Sequence, residues 1–114
     1  MATVRELRTQ SDVTAMLEAS NEQTVALLKH SIACPISARG QEQFVGLEGE
    51  GDPPLYCVVV QYARDVSQHL AETLGVTHQT PQVILIRNGE AVHDVSHHRI
   101  QLASLRETLA ELTT

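Results

Sequence analysis

Two apolar runs constrain this chain more than any other feature. Thr24 to Lys29 reads as a buried strand, and Leu55 to Tyr62, "LYCVVVQY", is almost continuously apolar. Strands covered on both faces show that continuity instead of an alternating pattern. Between the runs, Pro35 to about Leu47 reads as a helix, with proline in the first turn where its missing N–H does no harm. A strand, a crossover helix and a second strand pair in parallel and right-handed. The chain is therefore expected to be built on a βαβ unit.

The remaining segments extend that unit. Ser11-Asp12 before Val13, Met16 and Leu17 predicts a capped amphipathic helix ahead of the first strand. The acidic stretch "EGEGDPP" over 48–54 reads as a loop ending the crossover helix. Asp65 opens a helix with Val66, Leu70 and Leu74 on one stripe and Gly75 at its end. Gln82 to Arg87 and Glu90 to Val95 flank Asn88-Gly89, a hairpin turn, and Leu102, Leu105, Leu109 and Leu112 mark a last amphipathic helix. This order resembles a thioredoxin-like α/β fold. It implies a central four-stranded mixed sheet flanked by helices, with an extra N-terminal helix, in a single domain over 1–114.

Bulk properties exclude several functions. A net charge of −6 disfavours non-specific nucleic-acid binding, which needs Lys and Arg to neutralise phosphates. The start, "MATVRELRTQ", has no apolar core of a signal peptide, and no segment approaches the roughly 20 apolar residues of a membrane span. The expectation is a cytoplasmic protein with neither nucleic-acid nor membrane partners. Two cysteines 23 positions apart make no disulfide framework, as suits a reducing compartment.

Cys34 falls where the first strand gives way to the crossover helix. The amides of Ile36 and Ser37 and the positive end of the helix dipole can all face its sulfur there, which favours the thiolate. Pro35 suits the first helical turn. Ser37 stands where a dithiol C-x-x-C site has its resolving cysteine; a hydroxyl can donate a hydrogen bond to the thiolate but cannot resolve a mixed disulfide. Cys57, near the start of its strand, lies about four residues or roughly 13 Å from the active end. A disulfide needs Cα atoms within about 7 Å, so Cys57 reads as a core residue. Thr80-Pro81, before an apolar strand, is where this arrangement places a cis-proline opposite the reactive cysteine.

"HSIACPIS", His30 to Ser37, with "THQTPQVILIRNGEAVHDVSHHRI", residues 77 to 100, resembles the YtxJ-like monothiol bacilliredoxins of bacteria along nearly the whole chain. The resemblance implies a thioredoxin-like fold and removal of bacillithiol from S-bacillithiolated client proteins. In that scheme Cys34 is the nucleophile and bacillithiol a co-substrate, with no bound cofactor. Ser37 would support the sulfur, and Pro35, Thr80, Pro81, Arg39 and His97 would contact the substrate. One departure is Thr80-Pro81-Gln82, where Ser-Pro-Gln is expected; threonine keeps the hydroxyl.

The acidic residues avoid the segments carrying Lys29, His30, Arg39, His78, Arg87, His97, His98 and Arg99, so a locally basic site is expected on an acidic protein. His93-x-x-x-His97 lies on a strand and its exit, where that spacing does not converge on one ion, and no metal site is expected. Two alternatives to the bacillithiol reading stay open from the residues. One is a monothiol glutaredoxin-like protein using another low-molecular-weight thiol; the other is a thioredoxin-fold binding module without catalysis.

Overall fold

The computed structural model describes residues 4–47 and 53–112. Five strands form one sheet in the order β1-β3-β2-β4-β5, where β1 is Val4–Glu6, β2 Val25–His30, β3 Leu55–Val59, β4 Gln82–Arg87 and β5 Glu90–Ser96. The helices are α1 (Gln10–Ala19), α2 (Pro35–Val45), α3 (Arg64–Leu74) and α4 (Leu102–Leu112). β1 and β2 both run parallel to β3, while β4 is antiparallel to β2 and to β5.

The expected βαβ unit is thus β2-α2-β3, and the sheet is mixed, but it has five strands where four were expected. The missing strand, β1, is three residues long with Arg5 and Glu6 exposed, so it carries no periodic signal. Short, charged strands are what sheet edges tolerate best. Its presence changes the meaning of the leading helix: α1 is not an extra piece in front of the fold but the connection from β1 to β2. The cap also moves. Thr9, not Ser11-Asp12, caps α1; its Oγ1 accepts from Asp12 N–H at 3.2 Å while the Asp12 carboxylate accepts from Thr9 N–H at 3.0 Å. Of the expected acidic loop, residues 48–52 lie outside the described residues.

Side-chain alternation divides the core between the two faces of the sheet. Val25, Leu27, Tyr56, Val58, Ile84 and Ile86 meet α1 and α3 through Val13, Met16, Val66 and Leu70. Ala26, Leu28, Leu55, Val83 and Leu85 meet α2, the turn after it and α4 through Phe44, Leu47 and Leu105. Both faces are covered, which is why β2 and β3 read as unbroken apolar runs. Asn88 and Gly89, at φ 54° and 74°, form the tight β4–β5 turn that their residue types predict.

Candidate active site

β2 ends at His30, and the turn that follows delivers Cys34 to the N-cap of α2 with φ −120° and ψ 120°. Pro35 takes the first helical position, where its fixed φ fits and no donor is lost. Cys34 is partly exposed. Its carbonyl oxygen accepts from Ser37 N–H at 3.1 Å and Ala38 N–H at 3.3 Å. The Ser37 amide is therefore committed to that carbonyl and not to the sulfur, which leaves the Ile36 amide of the expected pair.

Ser37 is fully buried, and its hydroxyl is also engaged: Oγ accepts from Ser31 N–H at 2.9 Å and lies 2.8 Å from His30 Nδ1. The expected bond from Ser37 to Cys34 is not among those the structure shows. Burial lowers the pKa of His30 below its ordinary value, with a contact to Ser37 acting against it. Gln61 holds the turn from the far side: its Nε2 donates to Ser31 Oγ at 2.8 Å, and its Oε1 accepts from Ile32 N–H at 3.2 Å. The sequence offers His30 only as part of a basic patch, and it offers no signal for Ser31 or Gln61. Only the fold brings the exit of β3 beside the exit of β2, so no local pattern marks Gln61. Ile32 and Tyr62, large apolar residues 56% and 65% exposed, lie in the two loops that this bond joins.

The Thr80–Pro81 peptide bond is cis. Because β4 pairs antiparallel to β2 with Gln82 opposite Lys29, Pro81 follows beside the end of β2. Pro81 also reaches α2 at Gly40, where a Cβ would stand 3.1 Å from Pro81 Cβ and 3.2 Å from Ile100 Cδ1. A side chain at this position would crowd Pro81 and Ile100, which would have to give by a few tenths of an ångström. Gly40→Val is expected to lower stability by about 1–3 kcal/mol, the usual result of overpacking, read as a lower urea midpoint at unchanged m-value. A wild-type midpoint would mean that this contact does not constrain the helix.

Pro81 O accepts from His97 N–H at 3.0 Å, and His97 adopts φ 54° at the corner after β5. That corner and α2 border a cleft of about 460 Å³, lined by Ile36, Arg39, Gln43, His97, His98 and Gln101 among others, with the carboxylate Glu42 also on its wall. Arg39 and His97, predicted separately, thus share one cleft with His98. Of the rest of the expected basic patch, Arg99 shares the turn of His97 and His98 and His30 faces Ser37 of α2, while Lys29, His78 and Arg87 lie elsewhere. Lys29 is buried on the opposite face of the sheet, its Nζ 3.4 Å from Ser67 O, and His78 lies on that side with Nδ1 3.4 Å from Ser67 Oγ. Arg87 sits at the other end of β4, against Ser20 O. Side-chain alternation along β2 turns Lys29 away from His30, and position in the fold separates His78 and Arg87 from the cleft.

Cys57 is 8% exposed on β3, where burial pushes its thiol up to about 11. Both cysteines are free. Among the described residues no three His, Cys, Asp or Glu side chains converge as a metal site would require, and no helix is long and apolar enough to cross a membrane.

The fold as a whole matches that of solved thioredoxins. Solved thioredoxins from Fasciola hepatica and Schistosoma mansoni share 19% and 22% identity with this chain. The first covers 95% of this chain and 98% of its own with a TM-score of 0.74, the second 96% and 95% with 0.75. At that identity the likeness shows the fold, and with Ser37 in place of a second active-loop cysteine the class is a thioredoxin-fold protein with a lone sulfur at the helix N-cap. A structure described as a candidate oxidoreductase with a thioredoxin fold is 35% identical, covers 91% of each chain and has a TM-score of 0.82. The family described as monothiol bacilliredoxin BrxC matches residues 5–105, and the chain belongs to that family.

Proposed function

We propose that this protein removes bacillithiol from S-bacillithiolated proteins by a monothiol mechanism, with Cys34 as the nucleophile. The observation that carries this reading is a partly exposed Cys34 at a helix N-cap with Ser37 one turn later, on a helix whose Gly40 packs against cis-Pro81, in a member of the monothiol bacilliredoxin family. The Cys34 thiolate attacks the bacillithiol sulfur of the client's mixed disulfide. That S–S bond breaks, a new one forms to Cys34, and the client leaves as a thiolate that takes a proton from solvent. A second low-molecular-weight thiol or a reducing partner then attacks the Cys34 adduct, leaving as a disulfide with bacillithiol and restoring the Cys34 thiolate.

Each step needs one sulfur from the protein, which suits a site without a resolving cysteine. Bacillithiol acts here as co-substrate, not as a resident cofactor, and the compartment is the reducing cytoplasm. The cleft of about 460 Å³ is within the range of small-molecule sites. Bacillithiol carries malate carboxylates, which Arg39 and His97 on the cleft wall would hold, and Pro35, Thr80 and Pro81 would orient the adduct.

The test uses one client protein carrying either bacillithiol or glutathione as its mixed disulfide. Intact mass should show the bacillithiol adduct moving to the wild-type protein faster than the glutathione adduct. Arg39→Ala should raise KM for the bacillithiol form about tenfold while kcat changes little, as loss of a charge-assisted bond worth ~1.5 kcal/mol would do. Equal rates with the two clients would point to a general monothiol exchanger, and no adduct with either would point to a binding module.

A further inference from the structure

The Ser37 hydroxyl has a single proton, and the acceptor that the structure places against it is His30 Nδ1. Its oxygen already accepts from Ser31 N–H, and His30 Nδ1 is 2.8 Å away, with both side chains buried. If Nδ1 is bare, the hydroxyl must donate to it, and Ser37 has no proton left for Cys34. If Nδ1 carries the proton, the ring donates to Oγ. The oxygen then receives two bonds, and its own proton turns elsewhere. Cys34 is the N-cap three residues earlier, at the same helix end, and the bonds the structure shows for the hydroxyl go to Ser31 and His30, not to the sulfur.

We propose that His30 is a positioning residue whose tautomer directs the Ser37 proton toward or away from the Cys34 sulfur, so that ionised Cys34 and the Nδ1–H form of His30 occur together. Burial and Ser37 are the influences that act on His30, with no charged side chain among them. The downward shift keeps the ring neutral near pH 7, where both tautomers are accessible. The protons balance: the thiol releases one to solvent, the imidazole exchanges Nε2–H for Nδ1–H with no net change, and the hydroxyl rotates. A serine in place of a resolving cysteine thereby becomes a switchable donor instead of a fixed one. This deepens the reading of Cys34 as a thiolate nucleophile, and it does not depend on which disulfide the thiolate attacks.

Ring ¹⁵N shifts of His30 read the tautomer directly in the unmutated protein. Under alkaline conditions, the free protein should show mainly Nδ1–H, and protein with Cys34 capped as a methyl disulfide should move toward Nε2–H. Ser37→Ala should abolish that difference. A His30 tautomer that is the same in the free and capped proteins would overturn the proposal. Alkylation of Cys34 by iodoacetamide supplies the second measurement. His30→Leu should change the rate several-fold in the wild-type background and by less than about twofold in Ser37→Ala, the non-additivity expected of groups acting through one another. His30→Asn, with a polar atom at the δ position, should restore most of the wild-type rate. Equal effects of His30→Leu in both backgrounds would also overturn it. Neither measurement uses bacillithiol, so failure here and failure of the proposed activity can be told apart.

Discussion

Cys34→Ser is expected to remove thiol exchange, with the rate falling at least about a thousandfold, because a serine hydroxyl is not ionised near neutral pH and cannot form the mixed disulfide. The second thiol offers no substitute. With its pKa pushed up to about 11, Cys57 has roughly one molecule in 10⁴ ionised at pH 7, before its burial is counted. Native Cys34→Ser should therefore take up iodoacetamide only at background, and intact mass should show no thiol adduct after incubation with a mixed disulfide. Cys57→Ser should form the adduct at the wild-type rate. Adduct formation by Cys34→Ser at the wild-type rate would place the nucleophile elsewhere and remove the basis of the proposed mechanism.

The second large effect concerns stability and runs against the usual direction for core substitutions. Lys29 is fully buried, and its ammonium meets Ser67 O at 3.4 Å. Burial lowers its pKa from 10.5 to about 8. Between those two values the unfolded chain holds a proton that the folded chain has released, so stability rises with pH across that window and the burial cost is felt in full below about pH 8. A shift of that size corresponds to at most about 3 kcal/mol. Lys29→Met keeps the length of the side chain and removes the charge, and should stabilise the protein at pH 7 by about 1–3 kcal/mol.

Cys57 complicates the upper part of the same window with the opposite sign. Its pKa is raised from 9.0 to about 11, so the stability it contributes is present below pH 9 and lost as pH rises toward 11. The clean comparison is therefore urea unfolding of wild type and Lys29→Met at pH 7, 8 and 9. The advantage of the variant should hold between pH 7 and 8 and shrink by roughly 1 kcal/mol by pH 9. A variant less stable than wild type at pH 7 would mean that the Lys29 ammonium is compensated well enough to stabilise the fold.

Much of the fold is legible wherever the signal is carried by nearest neighbours. Unbroken apolar runs mark β2 and β3 because both faces of the sheet are covered. Asn88-Gly89 marks its hairpin because those residues tolerate φ of 54° and 74°. Pro35 after Cys34 marks a helix start for the same kind of reason. β1 escapes because three residues, two of them charged, hold no period, and what makes them a strand is their pairing with Leu55, Tyr56 and Cys57 some fifty positions away.

The amino-acid sequence by itself determined the order of the central strands and helices, the N-cap position of Cys34 and the absence of a second sulfur at Ser37, since each depends on residues within a turn or two of one another. Tertiary structure alone decided where polar groups go. Register and pleat turned Lys29 toward α3 and His30 toward Ser37, although the two are adjacent in sequence. The packing of the elements separated Arg39 and His97, on one cleft, from His78 beside Ser67 of α3 and from Arg87 at the far end of β4. Neighbouring residues on a strand point to opposite sides of the sheet, and which side is which is set by pairing between distant segments, not by the residues themselves.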